Sequence, residues 1–248
     1  MSTGLRNRLA FVALAVVFVL ATGACGGEAE PEAPEADPTT TTTEALSAEA
    51  VLKGAAEEIA TLSTTKFTMV DENETGAKFM GTTLKRLNAE VEEPDRFKLA
   101  VEAQSALGFV RIQVVGIGDE VLMQLFDGAP WSPVEPDQIP FNLTGLGMTL
   151  HDILLAIEDA TISGSESLGG GPALRLETTL ASDDLSALIT NADSGHSLDA
   201  LLWIGESDRA LRQIRIAGQV YDDDAPETVR VITIEDVDVP VDITLPGA

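Results

Sequence analysis

The sequence predicts an α+β domain in which a large, curved antiparallel β-sheet is covered on its concave face by helices. Three observations lead there. About nine segments alternate apolar and polar residues with a period of two, and three shorter segments repeat their apolar residues at helical spacing. Most of the strand-like segments follow one another directly, separated only by turn residues, which is the order of an antiparallel meander. A sheet of that size rarely stays open without curling, so its concave face must be covered or be wet.

The domain runs from Leu46 to Ala248, about 200 residues, enough for one core. Ser47 is placed to cap a first helix in which Val51, Leu52, Ala55, Ala56, Ile59 and Leu62 form one apolar face. Five strands follow. Thr65–Asp71 puts Phe67 and Met69 on one side, Gly81–Glu92 puts Leu87, Ala89 and Val91, and Asp95–Ala103 puts Phe97, Leu99 and Val101. Phe109–Val115 is apolar on both faces except for Arg111 and Gln113, and Glu120–Phe126 carries Val121, Met123 and Leu125. Turn residues at Asn73–Gly76, Glu93-Pro94-Asp95 and Gly116–Asp119 separate them.

Between Pro130 and Gly147 four prolines forbid regular structure, and Trp131, Ile139, Phe141 and Leu143 pin this connector. A second helix is expected over Thr149–Asp159, with Leu150, Ile153, Leu154 and Ile157 inside. Strand Ala173–Leu180 leads to a third, short helix at Asp183–Asn191. The remainder reads as strand: Leu198–Gly205, Leu211–Tyr221, Thr228–Val237 and the tail Val239–Leu245, with Asp222–Pro226 as a solvated hairpin turn.

Residues 1–24 read as an export signal. Arg6 and Arg8 precede an apolar run from Leu9 to Ala21, about 13 residues and too short for a comfortable spanning helix. Cys25, the single cysteine, follows the small pair Gly23-Ala24 in an arrangement that resembles a bacterial lipobox, with Thr22 where an aliphatic residue is usual. The resemblance implies a diacylglycerol thioether on Cys25, which becomes the mature N-terminus and anchors the chain to the outer side of the plasma membrane. Two acyl chains suffice for stable anchoring. Residues 25–45 then form an acidic linker with three prolines and the run Thr39–Thr43, too poor in large apolar residues to fold. Cleavage before Cys25 leaves 13 basic against 41 acidic residues, a net charge of −28, which argues against nucleic acid and anionic headgroups as partners.

The lipobox, the acidic Thr/Pro linker and the N-terminal helix before a strand meander set a specific order. To these the C-terminal region adds Leu201-Leu202-Trp203-Ile204, a tight turn, Leu211-Arg212-Gln213-Ile214, and a last segment ending in Val239-Pro240-Val241-Asp242-Ile243. That order resembles the actinobacterial LppX/LprAFG lipoproteins, whose fold is similar to the periplasmic lipoprotein carriers of Gram-negative bacteria. The resemblance implies a half-barrel closed by helices around a hydrophobic cavity that takes acyl chains of a cell-envelope lipid or glycolipid and carries it outward. It implies no cofactor and no catalysis. The lining expected on that basis is Phe67, Met69, Phe97, Leu99, Val101, Val121, Met123, Leu125, Phe141, Met148, Leu150 and Leu154. The same residues would equally fill a solid core, as in a non-transporting scaffold or regulatory lipoprotein. Aliphatic and methionine side chains dominate and aromatic residues form only 4% of the chain, which suits an adaptable lining.

Other chemistry is poorly served. Gly195-His196-Ser197-Leu198-Asp199 lacks the final glycine of a serine-hydrolase elbow and stands before a strand rather than after one. His151, the other histidine, reads as a surface residue beside Asp152. Asp222-Asp223-Asp224 lacks the glycine and distal glutamate of a calcium loop, and Gly169-Gly170-Gly171-Pro172 lacks the lysine of a phosphate loop. Arg111, Arg175 and Arg215 are candidates for a headgroup phosphate but alternate onto the wet face. The connector and second helix are expected to form a movable cover, with Gly145 and Gly147 as its hinges.

Overall fold

The computed structural model describes residues 46–79 and 81–247; the export signal, Cys25 and the linker lie outside the described residues. Ser47 caps helix α1 (Ala48–Ile59), its hydroxyl accepting a hydrogen bond from the Ala50 amide at 3.2 Å. The periodic residues Val51, Leu52, Ala55, Ala56 and Ile59 are all buried, as the spacing requires. Helix α2 (Leu146–Ala156) packs against α1. It starts three residues before the expected position because Gly145, at φ 62°, turns the connector into it and Leu146 already falls on its buried face.

Among the described residues twelve strands form one open antiparallel sheet. They are β1 (Thr64–Asp71), β2 (Lys78–Phe79), β3 (Thr82–Glu92), β4 (Arg96–Ser105), β5 (Gly108–Ile117) and β6 (Glu120–Gln124), then β7 (Ser132–Pro133), β8 (Thr161–Leu168), β9 (Gly171–Ala181), β10 (Ser197–Gly205), β11 (Leu211–Ala217) and β12 (Val229–Val237). Their order is β7-β6-β5-β4-β3-β1-β12-β11-β10-β9-β8, with the short β2 pairing β3 off this path. The sheet is therefore two meanders joined where the first and last strands pair, Met69 opposite Ile232 and Asp71 opposite Arg230. Alternation is kept along each strand: Leu87, Ala89 and Val91 of β3, Phe97, Leu99 and Val101 of β4, and Leu198, Ala200 and Leu202 of β10 are buried. Each large one contributes on the order of 1.5–3 kcal/mol by leaving water.

Three expectations are corrected here, and one strand that the spacing did not predict is added. The third helix is a single 3-10 turn, Ser182–Leu185, followed by irregular chain. Its residues favour turns: Asp184 Oδ2 accepts from the Ala181 amide at 2.9 Å and Asp183 Oδ2 from the Gly195 amide at 3.0 Å. Strand β8 had no sequence signal, since Ile162 and Leu168 are its only large apolar residues, and it exists by pairing with β9 at the sheet edge. The tail after Val237 is not a strand, although Ile243 is buried and its carbonyl accepts from the Arg96 guanidinium. Gly147 is not a free hinge. A Cβ there would lie 2.8 Å from the Ile59 carbonyl oxygen, so the glycine is what lets α2 approach the end of α1, and its amide is held by Glu93 Oε1 at 2.8 Å.

The acidic turn also differs from expectation, because Asp224 is turned inward with its side chain 0% exposed. It meets Arg230 in a two-point pair, Nη1 to Oδ2 at 2.8 Å and Nη2 to Oδ1 at 2.6 Å. It also accepts from the amides of Val220 (2.8 Å), Tyr221 (3.1 Å) and Ala77. One carboxylate thus fastens the β1–β2 loop, the β11–β12 connection and β12 itself. Burial pushes its pKa up, but the hydrogen bonds and charge of Arg230 and the backbone amides outweigh that and hold it below the ordinary aspartate value.

Two outcomes follow from these contacts. Gly147→Ala, which would stabilise an ordinary helix, should lower stability by about 1–3 kcal/mol in a denaturant titration, because the added methyl meets backbone. Asp224→Asn should cost about 3–5 kcal/mol at pH 7 by leaving Arg230 buried and unpaired. A carboxyl with a lowered folded pKa stabilises fully above its unfolded value near 4 and loses that contribution as pH falls through the folded one. The gap between wild type and Asp224→Asn should therefore be constant above about pH 6 and narrow below about pH 4.

Candidate functional site

Four adjacent strands, β3, β1, β12 and β11, build the floor of an apolar cavity of about 110 Å³. Register explains how. Leu87, Met69, Ile232 and Ile214 stand in one row across the four strands, flanked on one side by the row of Phe67 and Ile234 and on the other by the row of Asp71, Arg230 and Ile216. Because side chains alternate, each row presents its residues to the same side.

The roof comes from three places: Leu146 and Leu150 of α2, Pro140, Phe141 and Leu143 of the connector, and Leu185, Leu188 and Ile189 after β9. Connector and 3-10 segment hold each other by backbone bonds, Asn142 N to Leu188 O at 2.8 Å and Thr190 N to Pro140 O at 3.1 Å, with a bridge between Phe141 and Ile189. Nearly all of the lining is hydrocarbon.

One end is polar. Asp71, Gly76, Ala77, Tyr221 and Arg230 meet there. Asp71 is 4% exposed; its Oδ2 accepts from the Gly76 amide at 2.8 Å, while Oδ1 is buried without a partner among the described residues. A Cβ on Gly76 would lie 2.7 Å from both Asp71 Oδ2 and Arg230 Nη2, so only glycine admits this approach. The Tyr221 hydroxyl donates to the Thr190 carbonyl at 3.4 Å, and its ring lies 6.0 Å from the Arg230 guanidinium. Burial, aided by Asp224 and Asp193 against Arg230, pushes its pKa up to about 12, so it stays a neutral donor. Past Ala77, Pro140 and Tyr221 the cavity adjoins a surface recess of about 310 Å³ that carries Asp137, Asp193, Asp222 and Asp223.

Of the residues singled out from the sequence, Phe67, Met69, Phe141 and Leu150 line this cavity. Phe97, Leu99, Val101, Val121, Met123 and Leu154 are buried in the surrounding core, and Leu125 (49% exposed) and Met148 (53%) face solvent. Sequence reasoning missed Ile214, Ile216, Ile232 and Ile234, although their own period-two spacing put them on common faces, and it missed Asp71 and Arg230 beside them. The arginines it offered for a headgroup are occupied on the outer face: Arg111 with Glu102 at 3.3 Å, Arg175 with Glu166 and Glu177, Arg215 with Glu72.

The residues considered for hydrolysis do not converge. The ring of His196 binds Asp222 Oδ1 at 2.9 Å and His151 binds Asp152 at 2.8 Å, while Ser197 begins β10. Among the described residues there is no cluster of three potential metal ligands and no helix long and apolar enough to cross a membrane.

Comparison with known proteins agrees with this architecture. The chain superposes on the crystal structure of LprF from Mycobacterium bovis with a TM-score of 0.62 at 15% identity, covering 81% of this chain and 97% of that one. It superposes on lipoprotein LppX from Mycobacterium tuberculosis with a TM-score of 0.54 at 16% identity, covering 79% and 98%. No curated protein sequence matches the chain. The LppX/LprAFG lipoprotein family profile spans residues 47–243, from the cap of α1 to the buried Ile243, and the chain belongs to that family.

Proposed function

We propose that this chain is a cell-envelope lipoprotein, tethered through acyl chains on Cys25 to the extracytoplasmic face of the plasma membrane. In this reading it takes the acyl chains of a lipid or glycolipid between sheet and roof and carries the lipid outward. The observation that carries the reading is the continuous hydrocarbon surface made by the floor rows and the three-part roof, which offers an acyl chain escape from water and asks for no specific hydrogen bonds. Membership of the family supports the same role.

Size decides how it would work. A volume of about 110 Å³ is well below the several hundred ångströms cubed of ordinary ligand pockets, so entry of a whole chain requires the roof to lift. The segments 140–143 and 185–190 are the parts able to do so, being tied to each other rather than woven into the sheet. The small volume also favours the second reading, a scaffold with a filled interior, and lipid occupancy separates the two.

Leu188→Trp, which fills the cavity from the roof, should reduce lipid extracted from the purified full-length protein by about tenfold with little loss of melting temperature. Stoichiometric lipid in wild type and variant alike would contradict this site, and none in either would contradict the carrier. Cys25→Ser, in a chain whose residues 1–24 are replaced by an export signal that is cleaved without lipidation, should move the protein from the detergent phase to the aqueous phase in a two-phase partition, since removing both acyl chains leaves an acidic chain with no affinity for anionic lipid.

A further inference from the structure

Asp71 ends β1 on the same side as Phe67 and Met69, and the residue opposite it across the ladder is Arg230. Opposite charges so placed would ordinarily pair. Instead both terminal nitrogens of Arg230 are taken by Asp224, at 2.8 and 2.6 Å. Arg230 and Asp224 neutralise each other, and Asp71, near Arg230 but in no salt bridge among the described residues, leaves this end of the cavity net negative.

The Asp71 side chain is half used. Oδ2 fixes the Gly76 amide, but Oδ1 is removed from water with no donor among the described residues. A buried acceptor in that state has lost its hydration and regained nothing, which points to a donor supplied from outside the chain. The neighbouring recess narrows the donor's chemistry. Its wall carries Asp137, Asp193, Asp222 and Asp223, with Tyr221 at the junction held neutral.

We infer that this end of the cavity is a headgroup subsite that selects lipids whose polar end offers an uncharged donor, such as a hydroxyl, to Asp71 Oδ1, and rejects lipids whose polar end is anionic. The inference rests on the lipid-binding reading above and sharpens it. A hydroxyl bonded to a carboxylate makes a short, charge-assisted hydrogen bond. A phosphate or carboxylate would instead meet Asp71, buried where solvent screens little and with Arg230 already engaged, while the largely exposed aspartates of the recess add a weaker, screened repulsion.

Calorimetric titration at pH 7 of the mature Cys25→Ser chain, exported with a signal that is cleaved without lipidation, tests this with three probes that share one tail: 1-decanoylglycerol, methyl decanoate and decanoate. The glyceride should bind about tenfold or more tightly than the methyl ester, and decanoate most weakly. Asp71→Asn keeps an acceptor for Gly76 but removes the charge, so it should lose the preference for the glyceride and gain affinity for decanoate by about tenfold. Equal binding of glyceride and ester by the Asp71 protein, or an Asp71→Asn variant with an unchanged order, would overturn the subsite and leave lipid binding standing. Binding of none of the three would overturn both. Should Asp71→Asn fail to fold, the order of affinities in the Asp71 protein decides alone.

Discussion

The pairing of β1 with β12 is the constraint on which the rest of this structure depends. These strands lie near opposite ends of the domain, and each finishes a meander that could continue without the other. Only their ladder puts Met69 beside Ile232 and Phe67 beside Ile234, and only through it do β3 and β11 become near neighbours. Joining segments so distant in the chain costs loop-closure entropy, which the buried rows on either side of the seam must offset. The Asp224–Arg230 pair stands at one end of that seam and ties the adjoining loops to it.

The apolar cavity lies over this same seam, so the contact that assembles the sheet also shapes the candidate site. The two helices play unequal parts. Helix α1 is packed hard through alanines and the approach of Gly147 to the Ile59 carbonyl, whereas α2 extends from that fixed point to lend Leu146 and Leu150 to the roof. The rest of the roof is irregular chain held by a few backbone bonds, and such a layer opens more readily than sheet or packed helix. Rigid floor and weaker roof are the division a container with an expandable interior needs.

What the sequence disclosed follows from what periodicity can carry. A period of two identifies which residues of one strand share a face, so the buried sets of β3 and β4 were legible from their spacing. It says nothing of which strands are neighbours, and so Phe67 and Met69 were recognised as candidates while their row partners, Ile234 for Phe67 and Ile232 and Ile214 for Met69, were not. Strand β8 lacked any periodic signal because both its faces are mostly polar at the sheet edge. The spacing of Leu185, Leu188 and Ile189 fits a helix and a compact turn alike, and the flanking aspartates, by binding backbone amides, decided for the turn. An acidic triplet reads as solvated until its cationic partner is known, and Arg230 sits six residues beyond Asp224 on a face that only the β1 pairing buries.

The central claim is that the space between the β1–β12 seam and its roof receives a lipid tail. A crystal structure of the protein saturated with 1-decanoylglycerol tests it most directly. The account predicts the decanoyl chain lying across Met69, Ile232 and Ile214, with residues 140–143 and 185–190 displaced outward to make room. A chain bound elsewhere on the surface, with the roof closed and the interior occupied by the protein's own side chains, would contradict it.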